Sequence, residues 1–570
     1  MSEVSIDRSR DLSQPLDRLG PDERMKADSD FLRGGIDAGL LDRITGAVPD
    51  EHDVKLMKFH GIYQQDDRDL RDERRRQRLE PAYQFMVRVR LPGGVCTPAQ
   101  WLKLDALARA HGGGTLRMTT RQTFQFHWVL KGDLRALIGG LHEELLDTVA
   151  ACGDDSRGVM CTADPASSDL HAEIAALAKR VSDHVIPKTR AYHEIWYGEQ
   201  RVATSAAEEP FYGATYMPRK FKIGFVIPPS NDIDVFTQDL GFIAIPGPEG
   251  LEGFNVAIGG GMGRTDQAPK TYPRLADVVG FVPKDRLLAT TEAVMAVQRD
   301  YGDRLDRQRA RFKYTIDDKG LDWIVAEIVR RQGFPFEEAR AYAFTSNGDE
   351  LGWRRSDNGR WHYTLFVENG RLSGALMDGL RDLARIHRGH FRLTPNQNLV
   401  IADVAPKQKA AIEAALDSVA PQTSSSSLRS NAIACVSLPT CGLAMAESER
   451  YLPRLIDKIE ALLAEHDLTD EPITMRMSGC PNGCSRPYVA EIALTGRAPG
   501  KYNLYLGGGF HGERLNKMSH ENIGEAKILE ILSDLFGRYA RERHDGERFG
   551  DFTIRVGVVR EVKEGRAFND

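Results

Sequence analysis

The feature that most constrains this chain is that it repeats itself. LRMTTRQTFQF (116–126) aligns without gaps on FRLTPNQNLVI (391–401), pairing Arg117 with Arg392, Thr119 with Thr394 and Gln122 with Gln397. Three more pairs follow in the same order: Cys161-Thr162 with Cys435-Val436, PRKFKIGF (218–225) with PITMRMSG (472–479), and FNVAIGGG (254–261) with YNLYLGGG (502–509). Four matched blocks in one order predict a duplicated two-module unit, folded as two pseudo-symmetric halves around a shared central site. The expected modules are 56–150 and 151–345 in the first half, and 346–422 and 423–570 in the second. Residues 1–55, polar and weakly periodic, are expected to form a mobile arm able to dock a partner. The Ser-rich QTSSSSLRS (422–430) reads as a flexible stretch between modules.

Local patterns place the motifs. Phe85, Val87, Val89 and Leu91 alternate with Met86, Arg88 and Arg90, which is strand periodicity. Thr97-Pro98 opens a helix with a hydroxyl N-cap and Pro in the first turn. TLRMTTRQTFQFHWVL (115–130) reads as one further strand, with Arg117, Thr119, Arg121, Thr123, Gln125 and His127 on its polar face. That face holds no acid, and Arg at this density suits planar carboxylates bound through two hydrogen bonds. Lys220 and Lys222 flank Phe221 on another strand. Residues 66–80 mix both charge signs and read as a solvated helix face rather than a nucleic-acid patch. Net charge is −6, so no global basic field points to nucleic acid, and any anion site must be a local concentration of Arg and Lys. The start has no apolar signal core and no later run approaches a membrane span, so a cytoplasmic protein is expected.

Seven cysteines are too few for a disulfide scaffold. Four of them, Cys435, Cys441, Cys480 and Cys484, have the pattern C-x5-C, a gap of 38 residues, then C-x3-C within SGCPNGCSRP. Four thiolates suit a [4Fe–4S] cluster or zinc, and the five-residue spacing is long for a zinc knuckle. Gly and Pro around the last pair allow tight turns and let backbone amides approach sulfur. The two Gly-Gly-Gly segments match neither a phosphate-binding loop nor a dinucleotide fingerprint.

Assembled, these residues resemble the siroheme nitrite and sulfite reductases, and among them the hemoprotein subunits of bacterial NADPH-dependent sulfite reductases. The resemblance runs from about residue 50 to the C-terminus, through FHGIYQQDDRD, RLPGG, TRQTFQFH, PRKFK, GFNVAIGGG, CVSLPTCGLAMAE and SGCPNGC. It implies an internally duplicated α+β and α/β fold, each half with a ferredoxin-like module and a larger module binding siroheme and cluster. It implies that the four cysteines hold one [4Fe–4S] cluster, with Cys484 also ligating siroheme iron. The implied sulfite contacts are Arg88, Arg157, Lys220 and Lys222. The implied cofactor contacts are Arg117, Thr119, Arg121, Thr123, Gln125, His127, Gly259, Gly260, Gly261, Arg311 and Asn482. Arg311 stands where the family usually has lysine, which keeps the charge. The resemblance further implies a separate flavoprotein (alpha) subunit, carrying FAD and FMN and oxidising NADPH, in a hetero-oligomer that serves cysteine biosynthesis. A siroheme nitrite reductase is the alternative within the family. A zinc-stapled RNA-binding protein is the alternative outside it, and it would be colourless where siroheme and cluster absorb visible light.

Overall fold

The alternation at 84–91 becomes the strand Tyr83–Arg88, and Thr97 caps the helix Pro98–His111. Thr97 Oγ1 accepts from the Gln100 N–H while the Gln100 side chain accepts from the Thr97 N–H, a reciprocal cap that fixes where this helix begins. The structure is a computed structural model and describes residues 19–188, 194–197, 200–204, 209–417, 419 and 426–570.

Four five-stranded sheets carry the duplication. The first small sheet runs Ile62–Asp66, Tyr83–Arg88, Phe124–Val129, Leu116–Met118, Arg371–Leu372 in spatial order, antiparallel throughout. The second runs Gly352–Arg355, Trp361–Leu365, Leu399–Val404, His390–Leu393, Val95–Cys96. Each takes its last strand from the other half, and one apolar core, including Phe85, Trp101, Phe124, Leu380, Phe391 and Ile401, lies under both. The large sheets are twins as well. Met160–Cys161, Ile223–Val226 and Leu240–Gly247 are parallel neighbours, followed by antiparallel Gly250–Ile258 and Asp277–Pro283. Ala432–Ala434, Met475–Ser478, Ile492–Ala498, Lys501–Leu506 and Lys517–Ile523 repeat that order and those directions.

The structure corrects four expectations. Residues 115–130 form two strands, because Thr119–Thr123 is a turn: Thr119 N–H donates to Thr123 O at 2.9 Å and Gln122 sits at φ +54°. The turn carries neither Gly nor Pro and is polar at every position, so hydropathy gives no sign of it. Second, hydrogen bonding shifts two of the repeat pairings. Leu240 N–H donates to Lys222 O as Ile492 N–H donates to Thr474 O, so Lys222 corresponds to Thr474. Likewise Thr162 N–H donates to Phe225 O as Cys435 N–H donates to Met477 O, so Cys435 corresponds to Thr162 and not to Cys161. Third, residues 19–55 are part of the fold rather than a mobile arm. Met25 and Leu32 belong to the core under the first large sheet, and Lys26 is buried, bonded to Glu23 at 2.7 Å and to Met217 O at 2.8 Å. Charged residues mask this segment in a hydropathy scan because their partners lie far along the chain. Residues 1–18 of the expected arm lie outside the described residues. Fourth, Ser426 caps a short helix, Ser427–Ser430, at the end of the stretch expected to be flexible; 422–425 lie outside the described residues. The solvated helix expected within 66–80 is Arg71–Arg76, with no buried residue. No helix among the described residues is long and apolar enough to cross a membrane.

Leu32, 0% exposed, tests the arm correction. Leu32→Ala is expected to cost about 2–5 kcal/mol, as buried leucines do, and to lower the melting temperature clearly in a thermal unfolding scan. An unchanged transition would return the segment to the status of a loose arm.

Candidate functional site

Two loops of the second half bring the thiols together. Cys435 follows the strand Ala432–Ala434, and Cys441 lies six residues on. Cys480 and Cys484 lie in the turn after Met475–Ser478. The Gly479 N–H donates to Cys435 Sγ at 3.2 Å. A side chain at Gly479 would collide with Ser437 Oγ and come within 2.7 Å of Ala446 O, so only glycine lets the two loops close. Burial pushes the Cys435 thiol up to about 12 and raises Cys441 and Cys480, and charge on Cys484 raises all three further. The four sulfurs therefore lie within electrostatic reach of one another, while among the described residues no group of three or more His, Cys, Asp or Glu is set to hold a metal ion. Arg68 donates to Cys441 O at 3.1 Å and to Ala444 O, and Thr120 Oγ1 of the first half donates to Cys484 O at 2.9 Å. Cys484 is exposed while Cys480 is buried. Asn482, half-buried, donates its N–H toward Cys480.

The first half supplies cations to the same place. Arg157 N–H donates to Phe221 O at 2.7 Å and Phe221 N–H to Asp155 O at 2.9 Å, which sets Arg157 beside the segment bearing Lys220 and Lys222. Neither lysine's ammonium has a hydrogen-bond acceptor among the described residues, and both lie deep among other residues while keeping solvent-accessible surface, which is how groups lining a recess behave. Burial, then the nearby guanidiniums of Arg219, Arg311 and Arg157, lowers the Lys220 pKa to about 7, against a pull upward from Cys484. Burial and the charges of Arg121, Lys220 and Arg311 hold Lys222 well below an ordinary lysine. Burial and the neighbouring arginines Arg157, Arg486 and Arg88 bring Arg121 down to about 9. Its guanidinium donates to Gln238 Oε1 at 2.9 Å and to Gly158 O at 2.7 Å, with Nε buried and unpaired. Asp239 offsets part of this field: it raises Arg121, Lys222 and Lys313, and pairs with Arg311 at 2.8 Å.

The remaining expected contacts have separate roles. Arg88, Gln125, Arg117 and Arg371 form one registered row across the first small sheet. Arg88 donates to Cys152 Sγ at 2.9 Å, and Gln125, turned to accept, takes Arg88 Nη2 at 2.6 Å. Arg117 pairs with Glu449 at 2.6 Å and donates to Ala434 O, which ties the row to the Cys435 strand. His127 is buried with both ring nitrogens unpartnered, held neutral by burial and by Arg371, Arg117 and Arg88. The Thr119 and Thr123 hydroxyls bond the backbone of the turn and of Val89 rather than standing free. Gly259 takes φ +86°; a side chain on Gly261 would meet Arg311 Nη2 at 2.9 Å and Lys313 Cδ at 3.2 Å. Sequence reasoning missed Arg219, Asp239, Lys313 and Glu449. Arg219 was visible inside PRKFK. Asp239 and Glu449 were not, since each gains meaning only from a partner dozens to hundreds of residues away.

The residues present fit two groups. Four thiols on two adjoining loops, within electrostatic reach of one another and approached by amides, suit an iron–sulfur cluster once drawn together around it. Excess cations with unpaired donors suit a polycarboxylate and a small anion. The family model "Nitrite and sulphite reductase 4Fe-4S domain" matches residues 177–336, and "Nitrite/Sulfite reductase ferredoxin-like half domain" matches 76–144 and again 354–419. The chain is 68% identical over 567 residues to the "Sulfite reductase [NADPH] hemoprotein beta-component" of Nitrosomonas europaea, covering 99% of both. It is 56% identical over 556 residues to that of Anoxybacillus flavithermus, covering 96% of this chain and 97% of that one. In fold it is similar to the Mycobacterium tuberculosis NirA protein, with TM-score 0.77, 24% identity, and 97% and 99% of the two chains covered.

Lys220 titrates lower folded than unfolded, so between about pH 7 and 10.5 the unfolded chain holds more protons at this group and stability rises with pH. The burden of the unpaired ammonium is therefore full below pH 7. Millimolar sulfate, whose charge is constant over this range, is expected to raise the melting temperature most near pH 6 and progressively less by pH 8.5. A sulfate effect that does not fade with pH would show that Lys220 is not the group it neutralises.

Proposed function

The chain belongs to the nitrite and sulphite reductase family, and from that premise we propose how its thiols and cations divide a six-electron reduction. The reaction is sulfite to sulfide, and the cofactors are siroheme and one [4Fe–4S] cluster. When bound, siroheme coupled to the cluster supplies an iron that passes electrons one at a time. Everything else falls to the protein. Cys435, Cys441, Cys480 and Cys484 would hold the cluster, and Cys484, exposed and within electrostatic reach of Lys220, would also serve siroheme iron. Arg121 and Arg311, with Arg117 in support, would meet siroheme carboxylates, for which a planar guanidinium is the matched donor; the Asn482 main chain flanks Gly263 with Arg311, while Gln125 and His127 lie with Arg88 and Arg117.

Arg88, Arg157, Lys220 and Lys222 hold sulfite. The observation that carries this is the pair of ammonium groups at Lys220 and Lys222, deep in the protein with no acceptor among the described residues and with guanidiniums nearby. Such an arrangement is costly unless an anion completes it. Donors fixed in advance around an anion favour the state in which negative charge accumulates. A lysine with a pKa of about 7 can release a proton from Nζ and regain one from solvent at neutral pH, so Lys220 is the proton donor of the set.

Electrons come from a separate NADPH-oxidising flavoprotein carrying FAD and FMN, with which the chain forms a hetero-oligomer in the cytoplasm. The "beta-component" in the relatives' name supports a second component. The glycine runs support it too: side chains at Gly260 and Gly508 would collide with Phe236 O and Ala490 O, so these glycines serve packing and do not open a dinucleotide-binding helix. A flavin converts a two-electron hydride donor into single-electron steps.

Lys222→Met tests the assignment. The Soret-type absorbance should stay near that of the parent, while sulfite turnover with reduced methyl viologen falls about 10²–10³-fold, the usual effect of losing one such donor. With NADPH, the parent chain should turn over only after the flavoprotein is added. Full turnover in the variant would remove Lys222 from the sulfite site.

A further inference from the structure

The two halves place a carboxylate at the same point, and the difference between the two copies is informative. Asp239 immediately precedes the strand Leu240–Gly247, and Glu491 immediately precedes Ile492–Ala498. Gly259 N–H donates to Asp239 O and Gly507 N–H to Glu491 O. Asp239 Oδ2 accepts from Lys222 N–H at 2.9 Å, and Glu491 Oε2 accepts from the corresponding Thr474 N–H at 2.9 Å. One function is thus shared: the acid pins the neighbouring strand's entry. The remaining contacts diverge. Glu491 Oε1 accepts from Gly550 N–H at 2.9 Å, a structural bond. Asp239 instead takes two nitrogens of Arg311, Nη2 at 2.8 Å and Nε at 3.3 Å. Arg311 precedes the helix Phe312–Lys319 and lies over Gly261, and its Nη1 has no acceptor among the described residues.

Resting on the assignment of Lys222 to sulfite and Arg311 to the siroheme carboxylates, we propose that Asp239 is a positioning residue that holds both at fixed places on the wall of the anion site. It is fully buried, so its two partnerships are not shared with water. One carboxylate anchors the main chain beneath a substrate lysine and the fork of a cofactor arginine, so the two cations cannot move independently.

Charge and position predict opposite outcomes for Asp239→Asn. The amide keeps an acceptor for Lys222 N–H and removes a negative charge from a cationic site. If Asp239 acted only through charge, sulfite would bind more tightly. If it positions Lys222 and Arg311, sulfite binds the oxidised holoenzyme at least tenfold more weakly, measured by equilibrium dialysis, and KM rises more than kcat falls. Asp239→Glu should recover part of the loss, and Glu491→Gln, the same place in the other half, should leave sulfite binding unchanged. Should Asp239→Asn not fold, Asp239→Glu stands in: it keeps the charge but displaces the carboxylate, so sulfite should bind more weakly than to the parent, where a role through charge alone predicts no change. Unchanged or tighter sulfite binding in Asp239→Asn, or unchanged binding in Asp239→Glu where that variant stands in, overturns the proposal. If Lys222→Met also keeps full turnover, it is the site assignment that has failed; if Lys222→Met is impaired, only the role of Asp239 has.

Discussion

The structure turns on a contact between two copies of the same position. Asp234 and Arg486 each precede a short 3-10 helix, Val235–Thr237 and Pro487–Val489, and each adopts a left-handed backbone, φ +48° and +54°. They pair with one another, and Arg476 adds hydrogen bonds to Asp234 at 2.7 and 3.2 Å. Asp234 and Arg476 are fully buried and Arg486 nearly so. A buried ion pair is a poor source of net stability but severe when broken, because the survivor is left charged in a low-dielectric interior. Such a contact specifies geometry more than it stabilises. It holds the turn bearing Cys480 and Cys484 at one place against the first half, and Arg486 extends the hold by donating to Thr120 O and Pro395 O, one on each repeat of the matched segment.

Neutral bonds keep the same symmetry. Gln122 and Gln397 both sit at positive φ, +54° and +71°. Gln122 exchanges two bonds with the main chain of Cys161 and reaches Leu393 O; Gln397 accepts from Ala434 N–H and reaches Met118 O. Each carboxamide thus joins its own large sheet to the small sheet of the other half. The opposing glycines leave no alternative: a side chain on Gly94 would come within 2.9 Å of Gln122 Cβ, and one on Gly370 within 3.0 Å of Gln397 Cβ. With the two halves held together by these polar contacts, the fold can carry groups that destabilise it, Lys220, Lys222 and Arg121 among them.

What the sequence made legible follows from how local each signal is. The ungapped match of 116–126 with 391–401 survives intact, since it rests on glutamines, threonines and arginines whose neighbours are themselves duplicated. The thiol spacing was legible because four cysteines in two short loops carry their meaning within each loop. The turn at Thr119–Thr123 was not, because polarity is the same in a turn as on a polar strand face. The pairing of Cys161 with Cys435 was one residue off, because identity of residue type outweighed a register that only main-chain bonds reveal. Residues 19–55 misled for a related reason: Glu23 and Lys26 look solvated until Arg304, Met217 and Asp154 are brought to them by the fold.

On the proposed assignment, the corrected register explains why the duplicated scaffold carries one site and not two among the described residues. Cys435 corresponds to Thr162. Counting back from Arg486 and Asp234 within the matched turn, Cys484 corresponds to Asp232. In the first half those residues close on each other, Thr162 Oγ1 donating to Asp232 Oδ1 at 2.9 Å and Ala163 N–H to Asp232 Oδ2 at 3.0 Å, so a hydrogen-bonded knot stands where thiols stand in the second. Conversely, the places of Lys220 and Lys222 are taken in the second half by Pro472 and Thr474, which carry no charge. Each copy of the scaffold has kept half of the chemistry and filled the other half with self-satisfied residues. A reaction that needs an electron store and an anion cradle within contact distance can be built this way only where the copies face one another, and the Asp234–Arg486 pair is what makes them do so.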